Sequence, residues 1–318
     1  IQVLNELTDE NVRFESESGA LWIRGSARGA TSEFRLSSED PDGFPEVQQF
    51  KEERFFVVKA ADVRRLIRRT IFATDNESTR YALGGIQVEF DQSQKVYFAA
   101  TDSRRLAVDV APFELGGSSE AKISAPQVPP VIPSKAMKLI ASSIEEAGEV
   151  QIAFNKNGIA VRSGLVTVTS QLVQGRFPDW RKVMPGQAQQ SIDFVVAPFL
   201  QAMRQVLIMK SEQSRAAEFS FSKGTLKLSS VTAESDEEPK GKKKERNLLS
   251  DGESKISIPI GYDGEAIAIR FDAVYVADVL KVLEGSSQVQ FRLISLEDPG
   301  LLVAGDYRYV VMPLSKDR

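Results

Sequence analysis

Val12-Arg13-Phe14, Val150-Gln151-Ile152 and Val289-Gln290-Phe291 are one strand written three times. Each follows the end of an amphipathic helix: Ile1-Gln2-Val3-Leu4-Asn5-Glu6-Leu7, then Met137-Lys138-Leu139-Ile140, then Val276-Ala277-Asp278-Val279-Leu280. The three valines stand 138 and 139 positions apart. That period is domain-sized, far above the roughly 20–50 residues of solenoids and propellers. Phe56-Val57-Val58, leading into a helix at Ala61, is answered 138 residues later by Phe194-Val195-Val196, leading into a helix at Ala197. Gly43-Phe44-Pro45-Glu46 is answered by Arg176-Phe177-Pro178-Asp179. The chain therefore reads as an array of like domains. Ile1 falls inside the repeated unit's second helix, so about two and a half units are expected: 1–51 as the latter half of a first domain, then 52–189 and 190–318.

Within the complete unit, Val63, Leu66, Ile67 and Thr70–Ile71 share one face of a helix over 61–72. Alternating strands follow at Ile86–Phe90 and Lys95–Ala100, and a second helix starts at Ser134 with that serine as its expected N-cap. Val150–Phe154, Gly158–Arg162 and Val166–Leu172 then form a meander. The fold class is α+β, two helices on antiparallel sheet in each domain. The last unit should carry helices near 197–209 and 272–283. It is interrupted at 234–251 by blocks of acid and then base without apolar periodicity, which reads as an inserted, solvated loop.

Histidine and cysteine are both absent. That excludes Ser-His-Asp and Cys-His nucleophile systems and histidine metal sites. Neither phosphate-cradling glycine motif occurs. Asp102 and Asp179 could serve metal-assisted hydrolysis, but both sit in turn contexts where aspartate bonds local backbone. A binding protein, with no cofactor and no metal, is the expectation, against a magnesium-dependent nucleic-acid-processing enzyme as the rival and a protein-interaction scaffold as a second. No run approaches the length of a membrane span, and a cytoplasmic location is the default.

Forty Lys+Arg against 44 Asp+Glu leave a net charge of −4, which argues against a protein that coats nucleic acid by charge alone. The distribution says more than the sum. Arg64, Arg65, Arg68 and Arg69 form a double pair on the solvent side of one helix, and Lys135, Lys138, Arg204, Lys210 and Lys281 recur on the others.

Three segments in order along the chain resemble the bacterial sliding clamp family, the beta subunit of DNA polymerase III. Thr101-Asp102-Ser103-Arg104-Arg105-Leu106-Ala107 is similar to its T-D-G-H-R-L-A. Arg176-Phe177-Pro178-Asp179-Trp180-Arg181-Lys182-Val183-Met184-Pro185 is similar to R-F-P-D-Y-R-R-V-L-P, and Tyr309-Val310-Val311-Met312-Pro313-Leu314 to Y-V-V-M-P-M. Arg80-Tyr81-Ala82-Leu83-Gly84-Gly85 also resembles R-Y-Y-L-N-G.

The resemblance implies a ring of two head-to-tail subunits encircling duplex DNA, with polymerase III catalytic subunit, clamp loader and other peptide-bearing proteins as partners. It implies a first domain lacking its front half. Arg80 and Tyr81 would join the helix cations against DNA. A peptide pocket between the second and third domains would be walled by Leu83, Thr101, Ser103, Arg104, Arg105, Leu106, Pro178, Lys182, Val183, Tyr275, Val310, Met312, Pro313 and Leu314. Phe34 and Leu36 would meet Ile208 and Met209 of another subunit. The chain departs from the family at Ser103-Arg104, where Gly-His is usual, at Trp180 for tyrosine, and at its end, Ser315-Lys316-Asp317-Arg318.

Overall fold

The computed structural model describes residues 2–7, 11–27, 30–43, 50–75, 77, 82–120, 128–145, 147–155, 157–186, 188–208, 215–230, 254–285 and 289–314. The chain divides into two compact units, 1–49 and 50–318. In the first, α1 (Gln2–Glu6) precedes a three-stranded antiparallel meander of β1 (Val12–Glu17), β2 (Ala20–Ala27) and β3 (Ala30–Ser37). Ser18 and Gly19 both have positive φ, the two-residue turn whose twist matches a hairpin. Phe14, Ile23 and Phe34 stand opposite one another across the three strands. They share a face with Leu36, and Phe14, Phe34 and Leu36 are exposed on it. On the other face Trp22 lies between the guanidinium groups of Arg24 and Arg35, at 5.1 and 5.9 Å.

The second unit starts with β4 (Arg54–Lys59), α2 (Ala60–Thr70), β5 (Gly85–Phe90), β6 (Lys95–Thr101), β7 (Arg105–Pro112) and β8 (Glu114–Gly117). It continues through β9 (Val131–Pro133), α3 (Ser134–Ser143), β10 (Glu149–Phe154), β11 (Gly158–Ser163) and β12 (Val166–Gln171). The next repeat supplies β13 (Gln190–Phe194), α4 (Val196–Ile208), β14 (Ala216–Ser222), β15 (Thr225–Ser230) and β16 (Lys255–Pro259). It closes with β17 (Ile267–Asp272), α5 (Ala273–Val282), β18 (Val289–Leu293), β19 (Gly300–Ala304) and β20 (Tyr307–Val311).

Helix α2 forms because Val63, Leu66, Ile67 and Thr70 recur on one buried face. Helix α5 is started by Asp272, whose carboxylate accepts from Val274 N at 2.9 Å. Ser134 was expected to cap α3; it is instead the first helical residue, and Pro133 holds the cap position without a side-chain bond. The proline fixes φ and sets the entry angle on its own.

The strands assemble as β12-β11-β10-β4-β8, as β16-β15-β14-β17, and as an eight-stranded sheet β13-β18-β19-β20-β7-β6-β5-β9. That long sheet belongs to both repeats. Its seam is the antiparallel β20–β7 pair, where Val311 faces Arg105, Val310 faces Leu106 and Tyr309 faces Ala107. Gly85 lets β5 close on β9, since a Cβ there would fall 2.2 Å from Ile132 O. Buried aromatic clusters fill both repeats: Phe56, Phe90, Phe113 and Phe154 in one, Phe194, Phe199, Phe219, Phe271 and Phe291 in the other.

One expected equivalence is corrected. Val58 pairs with Val150, but the residue that pairs with Val289 is Phe194, so Phe194 corresponds to Val58 and not to Phe56. The buried residues Val63, Leu66, Ile67 and Thr70 of α2 likewise correspond to Phe199, Ala202, Met203 and Val206 of α4. The Phe-Val-Val match is two residues out of register. Strand side chains repeat every second residue, so an even slip leaves the apolar pattern intact and cannot be seen in it.

Helix α2 is locked to the seam by charge. Asp109 of β7 is 1% exposed and accepts from Arg65 at 2.6 Å, with Arg69 at 3.5 Å. Asp109→Ala should lower unfolding stability by about 3–5 kcal/mol, because it leaves two guanidinium groups without their buried counter-ion. Chemical denaturation measures this, and a change below about 1 kcal/mol would contradict it.

Candidate functional site

Where the two repeats meet at the seam, a cleft of about 470 Å³ opens. Thr101, Ser103, Arg104, Arg105, Leu106 and Val310 line it from the end of β6, the β6–β7 turn and the two seam strands, with Met312 just beyond β20. Arg176, Pro178, Asp179, Trp180 and Val183 come from the segment after β12, and Pro299 from the β18–β19 loop. The apolar wall is not fully covered: Val183 is 53% and Met312 44% exposed.

The β6–β7 turn is fixed by its own polar groups. Asp102 Oδ1 accepts from Arg104 N and Arg105 N, both at 3.0 Å. Ser103 N donates to Thr101 Oγ1 at 3.1 Å, and Thr101 Oγ1 donates to Arg105 O at 2.6 Å. Asp102 is thus committed to turn geometry, the bland role expected of it. Ser103 adopts φ 72°, left-handed backbone that favours glycine, which is the residue found here in the resembling family.

Arg105 is the anchor beneath the cleft, its side chain only 10% exposed. It donates to Asp102 Oδ2 at 2.9 Å, to Asp278 Oδ2 on α5 at 3.0 Å and to Phe72 O at 2.7 Å. Its guanidinium lies 4.2 Å from the Tyr275 ring centre and 5.3 Å from that of Phe72. Burial opposes its charge, but Tyr309, Asp278 and Asp102 more than offset that, so its pKa lies above the ordinary arginine value. Burial also pushes the Tyr309 hydroxyl well up, and that hydroxyl donates to Tyr275 O at 2.9 Å.

The remaining expected wall residues lie elsewhere. Leu83 is buried in the core behind the cleft, packed with Leu106, Trp180 and Val310. Tyr275 is the platform under Arg105. Lys182 points to solvent and pairs with Asp179 at 3.4 Å. Pro313 and Leu314 follow Met312, and Leu314 N bonds Arg270 O at 2.8 Å. Arg176 and Trp180 stand in a quoted motif without an assigned role, Asp179 is read there only as a turn residue, and Pro299 carries no signal in the sequence. Trp180 is 8% exposed, stacked under Arg181 at 4.1 Å, and its Nε1 has no hydrogen-bond partner among the described residues.

The four arginines of α2 are not equivalent, although one solvent face was expected to carry all of them. Arg65 and Arg69 turn onto Asp109, because a buried carboxylate needs compensating charge. Arg64 donates to Ile144 O at the end of α3, and Arg68 is exposed without an acidic partner among the described residues. Arg64, Arg65, Arg68 and Lys138 border an open groove of about 660 Å³ between α2 and α3. Lys135 is exposed on α3, while Arg204 faces Glu284 at 4.0 Å and Lys281 pairs with Asp278 at 3.1 Å. Ile208 is exposed. Arg80, Tyr81, Met209, Lys210, the 234–251 segment and residues 315–318 lie outside the described residues.

A family model described as DNA polymerase III beta subunit, central domain, matches residues 57–179, and one described as its C-terminal domain matches 181–315. Helix-on-sheet repeats sharing one sheet, with these matches across both, define a non-catalytic processivity factor of DNA polymerase. The beta sliding clamp of Chlamydia pneumoniae is 26% identical over 314 residues, covering 98% of this chain and 78% of that protein. The crystal structure of the Pseudomonas aeruginosa DNA polymerase III beta subunit superimposes with TM-score 0.78 at 26% identity, covering 99% of this chain and 80% of that one. The sliding clamp of Bacillus subtilis, at 22% identity and TM-score 0.80, shares the fold, with 99% of this chain and 77% of that one covered. The chain belongs to the beta sliding clamp family. No helix among the described residues is long and apolar enough to cross a membrane.

Ser103→Gly should stabilise the protein by about 1 kcal/mol by relieving left-handed backbone strain in the turn. An unchanged or lowered denaturation midpoint would contradict that.

Proposed function

We propose that the chain encircles duplex DNA as a head-to-tail ring and tethers polymerase and other replication proteins through the cleft at the β7–β20 seam. The observation that carries this reading is the partly uncovered apolar wall of Pro178, Val183 and Met312 in a cleft whose turn and seam are hydrogen-bonded in place. A partner with two apolar side chains seated there gains about 1.5–3 kcal/mol from each. After ordering costs, that suits an affinity of about micromolar, weak enough for exchange between partners. The ring is completed by the apolar face of Phe34 and Leu36 against Ile208 and its neighbours in a second copy, which covers a sheet edge that would otherwise invite aggregation. We divide the chain into 1–51, 52–189 and 190–318 on the same reading.

Retention on DNA by enclosure requires little direct attraction, so a net charge of −4 is compatible with it. Arg68, Arg64, Lys138 and Lys135 supply a modest, sequence-independent attraction to phosphates. Retention on nicked circular DNA that is lost on linearisation separates this reading from a scaffold or an enzyme.

Val183→Ala with Met312→Ala should weaken binding of a polymerase-derived peptide by about tenfold or more, since two anchoring contacts are removed. Both residues are half exposed, so the thermal midpoint should move little. Unchanged peptide affinity would refute the cleft assignment. Leu83 is unsuitable for this test, because its buried position makes Leu83→Ala a core cavity costing about 2–5 kcal/mol.

Arg68→Glu with Lys138→Glu should shorten retention on circular DNA at low salt and flatten its salt dependence, while leaving peptide affinity unaltered. Indifference of retention to both changes would show that this groove does not face the duplex.

A further inference from the structure

We propose that the cleft selects partner segments in which a carboxylate side chain accompanies the apolar anchors, and that Arg104 and Arg176 are the residues that select it. This rests on the cleft being the partner site. The charges around the cleft separate into committed and uncommitted ones. Arg105 is bound to Asp102 and Asp278, and Lys182 to Asp179. Arg104 and Arg176 line the same cleft, are exposed, and have no acidic partner among the described residues. Their backbones are nevertheless fixed. Arg104 N donates to Asp102 Oδ1 at 3.0 Å and Arg104 O accepts from Met312 N at 2.9 Å, while Arg176 O accepts from Ala82 N at 3.4 Å.

A free guanidinium on an anchored backbone, beside an apolar wall, suits a charge-assisted contact to a carboxylate. A basic residue at that place would meet repulsion from both arginines, so the pair discriminates by charge as well as by attraction. The resembling family pattern has histidine at position 104, so the permanent charge there belongs to this chain.

The probes are capped, amidated peptides in extended form with leucines at alternate positions, which places both on one face, and with Glu, Gln or Lys beside them. Their affinities are measured by Trp180 fluorescence in a Trp22→Phe background and by calorimetry. The Glu peptide should bind about tenfold more tightly than the Gln peptide at low ionic strength, and the gap should narrow as salt is raised. Arg104→Ala with Arg176→Ala should close the gap between the Glu and Gln peptides and remove its salt dependence. Arg104→Glu should restore binding of the Lys peptide. Both positions are exposed, and a thermal midpoint close to that of the parent verifies folding. If any variant fails that check, the salt-dependent ranking of the three peptides on the parent protein decides alone. Equal binding of Glu and Gln peptides would overturn the charge selection while leaving the cleft as the partner site. Failure of every peptide to bind would overturn both.

Discussion

The main-chain pairing of β20 with β7 is the constraint on which the rest depends. Four residue pairs join two repeats into one sheet, and the cleft is built across that join. Were the pair to part, each repeat would expose an unpaired strand edge, a hazard proteins normally cover. The side chains reinforce the ladder from its helix-bearing face. Arg105 reaches α5 and the end of α2, Tyr307 OH donates to Arg69 O at 2.9 Å, and Tyr309 OH donates to Tyr275 O. The cleft proposed to receive partners and the structural joint are therefore one object. Substitutions in the cleft must be chosen from its exposed wall if they are to report on binding alone.

Charge is handled in two ways in the same molecule. Buried or half-buried cations are assigned counter-ions: Arg65 and Arg69 to Asp109, Arg105 to Asp102 and Asp278. Some exposed cations, such as Lys182 and Lys281, pair with neighbouring aspartates, whereas Arg68, Lys138, Arg104 and Arg176 are without acidic partners among the described residues. The first group resists separation because each carries a desolvated charge that would be stranded. The second remains available to phosphate or carboxylate at modest, salt-sensitive strength.

The repeat, the helix positions and the α+β class were legible because burial imposes a 3.6-residue period on helices and a period of two on strands. Five helices fall within a few residues of where that patterning placed them, α1 to α5. The same periodicity hid the two-residue offset between Val58 and Phe194. The cleft was legible only by combining distant segments, since Thr101, Pro178 and Met312 each read singly as turn or core. What the sequence could not convey was side-chain commitment. Arg64, Arg65, Arg68 and Arg69 look alike in a helical projection, and only the fold reveals that Asp109, forty residues on, claims two of them. Pro299 was invisible for a related reason: a loop residue enters a site through the path of the chain and leaves no pattern.

The hydrogen bond from Met312 N to Arg104 O ties the segment beyond β20 to the β6–β7 turn. One amide proton therefore sits across the mouth of the cleft, held by the opposite repeat. Its exchange with deuterium would time how often that latch opens in the free protein. A bound partner that leans on Met312 would slow the clock, and one that pries the segment away would quicken it. The chain thus carries its own gauge of whether a partner seated as proposed would take the cleft as it stands or must first loosen it.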